Sequence, residues 1–189
     1  MAHSGISTRF WRRFGRDFGA WIGAVALMVA LGLAGQAQAT PTEQVDGPKG
    51  PVTNLPLPRF VSLKSDDGNA RRGPSLSNRI DWVFTRRNMP LQITAEYGHW
   101  RKVQDRDGAG GWVHYALLSG VRTVLIEQDM LQIYARPDPQ SPVKAELELG
   151  VIARLGSCNI DWCKVTAGGY RGWAPKTALW GVRPDEIRE

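Results

Sequence analysis

The stretch GGWVHYALLSG, residues 110–120, returns about sixty residues later as RGWAPKTALWG, residues 171–181. Each stretch has a Gly-Trp pair, a short segment and then a leucine, and each ends in a glycine eight residues after the tryptophan. A second pair of tryptophans, Trp100 and Trp162, keeps the same spacing to within one residue. Because several anchors hold one register, the sequence indicates a folding unit that occurs twice.

The segments around these anchors have the pattern of a small antiparallel β domain. In the first copy, short β-rich runs alternate with turn residues: RFVSLKSD, WVFTR (82–86), LQITAEY (91–97), HWRKVQD (99–105) and GWVHY (111–115). In HWRKV, Trp100 and Val103 fall on opposite faces of a regular strand, so a bulge or one-sided burial of the tryptophan is needed. The segments YALL and KTAL are too short for a stable α-helix and favour a 3₁₀ turn.

The repeated unit resembles the bacterial Src-homology-3-like (SH3-like) domain family. The first copy matches the family's pattern of Asn-x-Arg-x-Gly-Pro, Trp-x-x-Val, Gly-Trp-Val and a final leucine at Asn69, Arg71, Gly73, Pro74, Trp100, Val103, Gly111, Trp112, Val113 and Leu118. The second copy offers only YARPDP in place of the first motif and has Ala174 where the first has Val113, which puts a ligand-loop function of that copy in doubt. The resemblance implies an all-β fold of two tandem SH3-like small β-barrels, residues 59–122 and 123–183, before a C-terminal tail at 184–189.

The barrels need heavy side chains, because a unit of this size buries little surface. We therefore expect the matched tryptophans to lie in the core or half-buried at its edge; they are Trp100, Trp112, Trp162 and Trp173. The join VRTVLIEQDMLQIY, residues 121–134, is too apolar and too short for a loose tether. We expect the barrels to share or exchange a strand there and to unfold as one body.

The first 39 residues have the layout of a secretory signal peptide. A basic region precedes the uncharged stretch WIGAVALMVALGLAG, residues 21–35, and Ala37 and Ala39 form an A-x-A cleavage pattern. As a helix this stretch rises about 22 Å, short of the hydrocarbon core of a bilayer. We expect cleavage after Ala39, a periplasmic or extracellular location and no permanent membrane span. The Pro-rich residues 40–58 are interpreted as an extended linker.

The net charge of +6 does not indicate nucleic-acid binding. Residues 1–39 hold four arginines and one aspartate, so removing them leaves 20 basic and 17 acidic residues, a net charge of +3. A mildly basic surface without a basic arm or an aromatic-basic motif argues against a nucleic-acid partner.

Cys158 and Cys163 are the only cysteines. Export to an oxidising compartment and an even number of cysteines favour a disulfide. The repeat places Cys158 at the end of one strand and Cys163 in the next strand. Free thiols or a redox or metal pair are the alternatives, but Cys-x4-Cys lacks the spacing of thioredoxin-type motifs and no second pair is present for zinc.

The sequence contains no recognisable catalytic motif. The expected signal, linker and two barrels also leave no residues for a catalytic domain. His99 and His114 are expected on solvent-facing strand surfaces, and the acidic pairs adjoin glycines in predicted turns. We therefore expect neither catalysis nor a cofactor nor a metal.

Two functions remain. The first is a non-catalytic cell-envelope binding module that recognises cell-wall peptide (peptidoglycan) or an envelope protein in a groove with aromatic walls. Its candidate binding residues are Arg71, Trp82, Tyr97 and Tyr115. The second is a structural adaptor in a periplasmic complex, in which the pair of barrels presents an edge to a larger assembly.

Overall fold

Short strands that end at turn residues form two antiparallel sheets in residues 47–189, the part of the chain that this computed structural model describes. The strands of barrel 1 are β1 (Arg59–Leu63), β2 (Gly68–Arg71), β3 (Ile80–Phe84), β4 (Pro90–Tyr97), β5 (Trp100–Gln104), β6 (Gly110–His114) and β7 (Leu118–Ser119). Those of barrel 2 are β8 (Thr123–Ile126), β9 (Leu131–Tyr134), β10 (Val143–Leu147), β11 (Ile152–Cys158), β12 (Trp162–Ala167), β13 (Tyr170–Pro175) and β14 (Leu179–Trp180). The expected 3₁₀ turns occupy Tyr115–Leu117 and Lys176–Ala178.

The two sheets have the same topology. The strand order is β3-β2-β6-β5-β4-β1-β7 in barrel 1 and β10-β9-β13-β12-β11-β8-β14 in barrel 2, so each strand corresponds to the one seven places later. This confirms the all-β prediction of two tandem barrels. The expectation of a shared or exchanged strand is wrong, since β7 pairs with β1 of its own barrel and β8 pairs with β11 and β14 of the other.

The core of each barrel consists mainly of aliphatic side chains, with Phe84 in barrel 1, and not of indoles. In barrel 1 the buried cluster consists of Leu63, Ala70, Phe84, Leu91, Ile93, Val103 and Val113. Trp100 and Trp112 are only half-buried, and their register partners His114 and Lys102 place them on the face opposite the core. The tryptophans therefore cover the outside of the barrel, and of the two positions expected for them, in the core or half-buried at its edge, the half-buried one is observed.

The irregularity expected around Trp100 lies on the neighbouring strand. Along β4 and β5 the pairing passes from Ile93 opposite Val103 to Ala95 opposite Lys102, which leaves Thr94 as an extra residue on β4. The bulge lets β5 stay regular, with Val103 facing inward and Trp100 facing outward.

The glycine before each repeated tryptophan lies where two strands cross closely. A side chain on Gly111 would place its Cβ 2.6 Å from the carbonyl oxygen of Arg71, and one on Gly172 would place it 2.9 Å from Cβ of Ile133. Only glycine lets β2 approach β6, and β9 approach β13, at this distance. The Gly-Trp phrase thus recurs because the same crossing occurs in both barrels.

The two barrels pack against each other through polar contacts. The buried hydroxyl of Ser62 lies 2.6 Å from the hydroxyl of Thr123, which donates a 2.6 Å hydrogen bond to the carbonyl oxygen of Asn88. Beside them the rings of Phe60 and Trp180 meet edge to face with centroids 5.2 Å apart. The two barrels belong to a single compact unit within residues 47–189.

Residues 47–58 fold back on themselves and do not form an extended linker. The Leu57 N–H donates to the carbonyl oxygen of Pro48 at 2.8 Å, the Gly50 N–H donates to that of Leu55 at 2.8 Å, and an isolated β-bridge joins Lys49 to Pro56. The extended conformation expected for 40–58 is therefore wrong for this part of it. Residues 40–46 and the expected signal at 1–39 lie outside the described residues.

A buried carboxylate attaches this folded segment to barrel 1. Glu96, on β4, accepts hydrogen bonds from the Val52 and Thr53 N–H groups at Oε2, and from the Thr53 hydroxyl and the Arg59 guanidinium at Oε1. Burial raises the pKa of Glu96, but the Thr53 hydroxyl and N–H, the Arg59 guanidinium and the Val52 N–H together lower it to about 2. We call these contacts the Glu96 clasp.

The C-terminal residues are also held in place. Cys158 and Cys163 form the predicted disulfide between register partners on β11 and β12, with their Cα atoms 4.1 Å apart. Arg188 exchanges backbone hydrogen bonds of 2.8 and 3.0 Å with Cys158, and Glu186 pairs with Arg122 at 2.9 Å. The tail at 184–189 is thus part of barrel 2. Within residues 47–189 no helix is long and apolar enough to cross a membrane.

Candidate functional site

Aromatic and imidazole side chains gather at one end of barrel 1. The β4–β5 hairpin places Tyr97 opposite Trp100, and Trp100 is in turn opposite His114 on β6. The Tyr115 N–H donates to the carbonyl oxygen of His99 at 2.9 Å, which holds the start of the 3₁₀ turn against the hairpin. We call these five residues the aromatic end.

Four rings of the aromatic end, those of His99, Trp100, His114 and Tyr115, are linked by ring contacts. The centroids of His114 and Tyr115 lie 5.0 Å apart, those of His99 and Tyr115 lie 5.6 Å apart, and Trp100 meets His114 edge to face at 5.5 Å. Tyr97 is 65% exposed and Tyr115 is 50% exposed. None of these side chains belongs to the buried core of barrel 1, so their faces and edges are available to a ligand.

His114 also organises the 3₁₀ turn that carries Tyr115. Its Nδ1 atom accepts a 3.3 Å hydrogen bond from the Ala116 N–H. A neutral imidazole that accepts at Nδ1 carries its proton at Nε2. The aromatic end therefore combines ring faces with hydrogen-bond donors on an imidazole and two phenols, a combination suited to peptide groups.

Of the four binding residues predicted from the sequence, the structure brings two together. Tyr97 and Tyr115 lie at the aromatic end, whereas Trp82 lies on β3 opposite Ala70. Arg71 uses its Nη1 atom to donate to the carbonyl oxygens of Leu76 and Asn78, at 3.0 and 2.6 Å. Its guanidinium thereby holds the β2–β3 loop in place.

Sequence reasoning missed the two histidines and the outward-facing Trp100 as members of this cluster. His99 and His114 are expected from the sequence on solvent-facing strand surfaces, and the ring contact between them follows from the pairing of β5 with β6. The available signal was the position of each histidine directly beside a strand anchor, in HW (99–100) and in VHY (113–115).

The equivalent position in barrel 2 is a groove around one tryptophan. Trp162 corresponds to Trp100, and Tyr134 meets it edge to face at 5.7 Å. Two surface pockets, of about 380 and 280 Å³, share Trp162 and Pro175 in their walls. The ammonium group of Lys176, in the wall of the larger pocket, donates to the carbonyl oxygens of Pro184 and Glu186, at 3.0 and 2.7 Å.

Within residues 47–189, no group of three histidine, cysteine, aspartate or glutamate side chains is placed to hold a metal ion. Both cysteines are in the disulfide, and the ionised carboxylate of Glu96 is enclosed by the clasp. The rings and polar atoms of the aromatic end can stack on a ligand and hydrogen-bond to it.

Comparison with known proteins agrees with this architecture. The family model described as the bacterial SH3 domain matches residues 64–120 and again residues 127–181. None of the curated proteins matches the chain. Similar solved structures include NlpC2 from Trichomonas vaginalis, at 13% identity, with 65% of this chain and 48% of that chain covered and a TM-score of 0.32. NlpC1 from the same organism matches at 14% identity, with 65% and 45% covered and a TM-score of 0.31. The matched part of each structure is thus less than half of its length.

Proposed function

The chain belongs to the bacterial SH3 domain family, and on that premise we propose that it is a non-catalytic binding module of the cell envelope. Its ligand is cell-wall peptide, recognised at the aromatic end of barrel 1. The protein is exported and acts in the periplasm or outside the cell. The disulfide between Cys158 and Cys163 supports this location, because such bonds persist in oxidising compartments.

The observation that carries this proposal is a group of five ring side chains outside the core of barrel 1, of which those of Tyr97, His99 and Tyr115 are exposed. Tyrosine and tryptophan rings contribute large contact areas at small cost in side-chain entropy, and their polar atoms can bond to peptide groups. A short cell-wall peptide offers methyl groups, amides and carboxylates, which match ring faces, the tyrosine hydroxyls and the Nε2–H of His114.

Co-sedimentation with purified cell-wall sacculi tests the proposal. Residues 40–189, which include both barrels, should pellet with the sacculi. The double substitution Tyr97→Ala and Tyr115→Ala should weaken binding about tenfold or more, since each exposed aromatic contact contributes on the order of 1 kcal/mol.

The matched control is Tyr170→Ala, because Tyr170 is a tyrosine of similar exposure, 58%, on the first residue of β13 in barrel 2. It should bind as the wild type does. Equal loss in the control and the double variant, or no pelleting of the wild-type protein, would contradict the assignment of the site to the aromatic end.

A further inference from the structure

Strand β3 is the edge of the barrel 1 sheet and exposes an apolar surface. Ile80, Trp82 and Val83 are 43%, 45% and 44% exposed, and Leu76, in the loop before the strand, is 74% exposed. Proteins normally protect such an edge with charged side chains, because its unpaired N–H and C=O groups can pair with another strand. Only Phe84 among the residues of β3 is buried.

The corresponding edge in barrel 2 is protected. Strand β10 exposes the charged side chains of Lys144 and Glu146, together with Val143 at 46%. Strand β3 has one charged residue, Asp81, and its carboxylate is neutralised by Arg72 at 3.1 Å and Arg79 at 2.5 Å. The two barrels share one topology, so this difference belongs to the side chains and not to the fold.

The charge around β3 indicates what could pair with it. The β2–β3 hairpin, residues 68–84, holds three arginines and one aspartate, a net charge of +2. The β9–β10 hairpin, residues 131–147, holds one arginine, one lysine, one aspartate and one glutamate, a net charge of 0. Two copies of the chain paired through β3 would bring two basic hairpins together, which like-charge repulsion disfavours.

We propose that β3 accepts an extended, acidic strand of a partner protein, which adds to the edge of the barrel 1 sheet. Backbone hydrogen bonds to the edge, which is unpaired within residues 47–189, hold the added strand, and apolar side chains of the partner pack on Trp82 on one face of β3 and on Val83 on the other. Its carboxylates meet Arg72 and Arg79, whose side chains are 62% and 68% exposed.

Arg71 prepares this surface. Its guanidinium bonds to the carbonyl oxygens of Leu76 and Asn78 and so fixes the loop that carries Leu76 and Arg79 beside the edge. Trp82 and Arg71, both candidates for ligand binding in the sequence, are thereby assigned to a protein interface separate from the aromatic end. The inference stands whether or not the aromatic end binds cell-wall peptide.

A blocked peptide of alternating valine and glutamate, acetyl-VEVEVEV-amide, is the probe for this edge, and its lysine counterpart, acetyl-VKVKVKV-amide, is the charge control. We expect the glutamate peptide to shift the backbone amide resonances of residues 80–84 of the full chain in a nuclear magnetic resonance titration. The lysine peptide should bind about tenfold more weakly or less, because it meets the basic hairpin with like charge.

Val83→Glu should abolish these shifts, because it places a carboxylate on the edge strand that repels the acidic peptide. Val83 is exposed and pairs with the exposed Asn69, so the substitution removes no core side chain. Val143→Glu on β10 is the matched control, with 46% exposure against 44%, and should leave the titration unchanged. Thermal melts of both variants establish that they remain folded.

Three outcomes overturn the proposal. The first is equal binding of the two peptides. The second is a set of resonance shifts that is centred away from β3, or absent at about 1 mM peptide. The third is a dimer of the full chain in sedimentation analysis that Val83→Glu converts to monomers. The last would assign the edge to a second copy of the chain.

Discussion

Replacing Glu96 with glutamine should detach residues 47–58 from barrel 1 and destabilise the protein. Each carboxylate oxygen of Glu96 accepts two hydrogen bonds, Oε2 from the Val52 and Thr53 N–H groups and Oε1 from the Thr53 hydroxyl and the Arg59 guanidinium. An amide replaces one oxygen with a donor. In either orientation of the amide, two donors therefore face an NH₂ group and lose their acceptor.

The cost follows from burial and charge. The side chain of Glu96 is 0% exposed, and the arginines near it, Arg59 and Arg101, are 16% and 9% exposed. An unpaired buried donor costs about 1–3 kcal/mol, and removing one partner of a buried ion pair costs about 3–5 kcal/mol. We expect the free energy of unfolding to fall by about 3 kcal/mol at pH 7, which lowers the melting temperature by roughly 6–12 °C in a chain of this size.

The difference between wild type and variant should depend on pH in one direction. The pKa of Glu96 is lowered from 4.5 to about 2 in the folded protein. A lowered carboxylate pKa contributes stability that is complete above the unfolded-state value and is lost as the pH falls through the folded-state value. The difference in melting temperature should therefore be constant above about pH 5 and shrink as the pH falls from about 4.5 toward 2.

Thermal denaturation followed by circular dichroism, together with limited proteolysis of residues 50–55, measures both effects. Glu148→Gln is the control, because Glu148 is an exposed glutamate in the turn after β10, and it should change stability by less than about 0.5 kcal/mol. A Glu96→Gln variant that melts with the wild type at pH 7, or a difference that grows on acidification, would refute the role given to the clasp.

Three further predictions concern the barrels. Gly111→Ala should destabilise by about 1–3 kcal/mol because its Cβ would lie 2.6 Å from the Arg71 carbonyl oxygen, whereas Gly120→Ala, which meets nothing within 4 Å, should be nearly neutral in urea denaturation. The wild-type protein should show one unfolding transition by calorimetry, and two separate transitions would contradict the docking of the barrels. Thr123→Val should lower the free energy of unfolding by about 1–2 kcal/mol, because the Asn88 carbonyl and the Ser62 hydroxyl each lose a hydrogen-bond partner. Cys163→Ser should cost about 2 kcal/mol, since the disulfide closes a short loop, and an equal midpoint for the oxidised wild type and the variant would show that the bond adds nothing.

Much of the fold could be predicted from residues close together in the sequence. The Gly-Trp and Trp-x-x-Val anchors repeat in one register, and their repetition predicted two barrels, the 3₁₀ turns and the face-to-face cysteines. The same reasoning left open whether the matched tryptophans lie in the core or at its half-buried edge. Composition shows that a small barrel needs large side chains, but the inward face of β5 is set by the bulge at Thr94 on a neighbouring strand.

The candidate site could be predicted only in part, because its residues come together through strand pairing. Tyr97 and Tyr115 are candidate binding residues from the sequence, but His99 and His114 join them only when β5 pairs with β6 and the chain turns at Tyr115. The apolar edge of β3 was likewise hidden, because a strand's position in the sheet order is not visible in its own residues.

The sequence by itself determined the repeated unit, its strands and turns, and the pairing of Cys158 with Cys163, because these depend on periodicity and on neighbours within one hairpin. Only the tertiary structure decided that Glu96 holds residues 47–58, that the indoles lie outside an aliphatic core, and that β3 is left as an open edge. Those features join residues across separate strands or, in the clasp, across more than forty positions. Such contacts form only once barrel closure has chosen which face of each strand points inward.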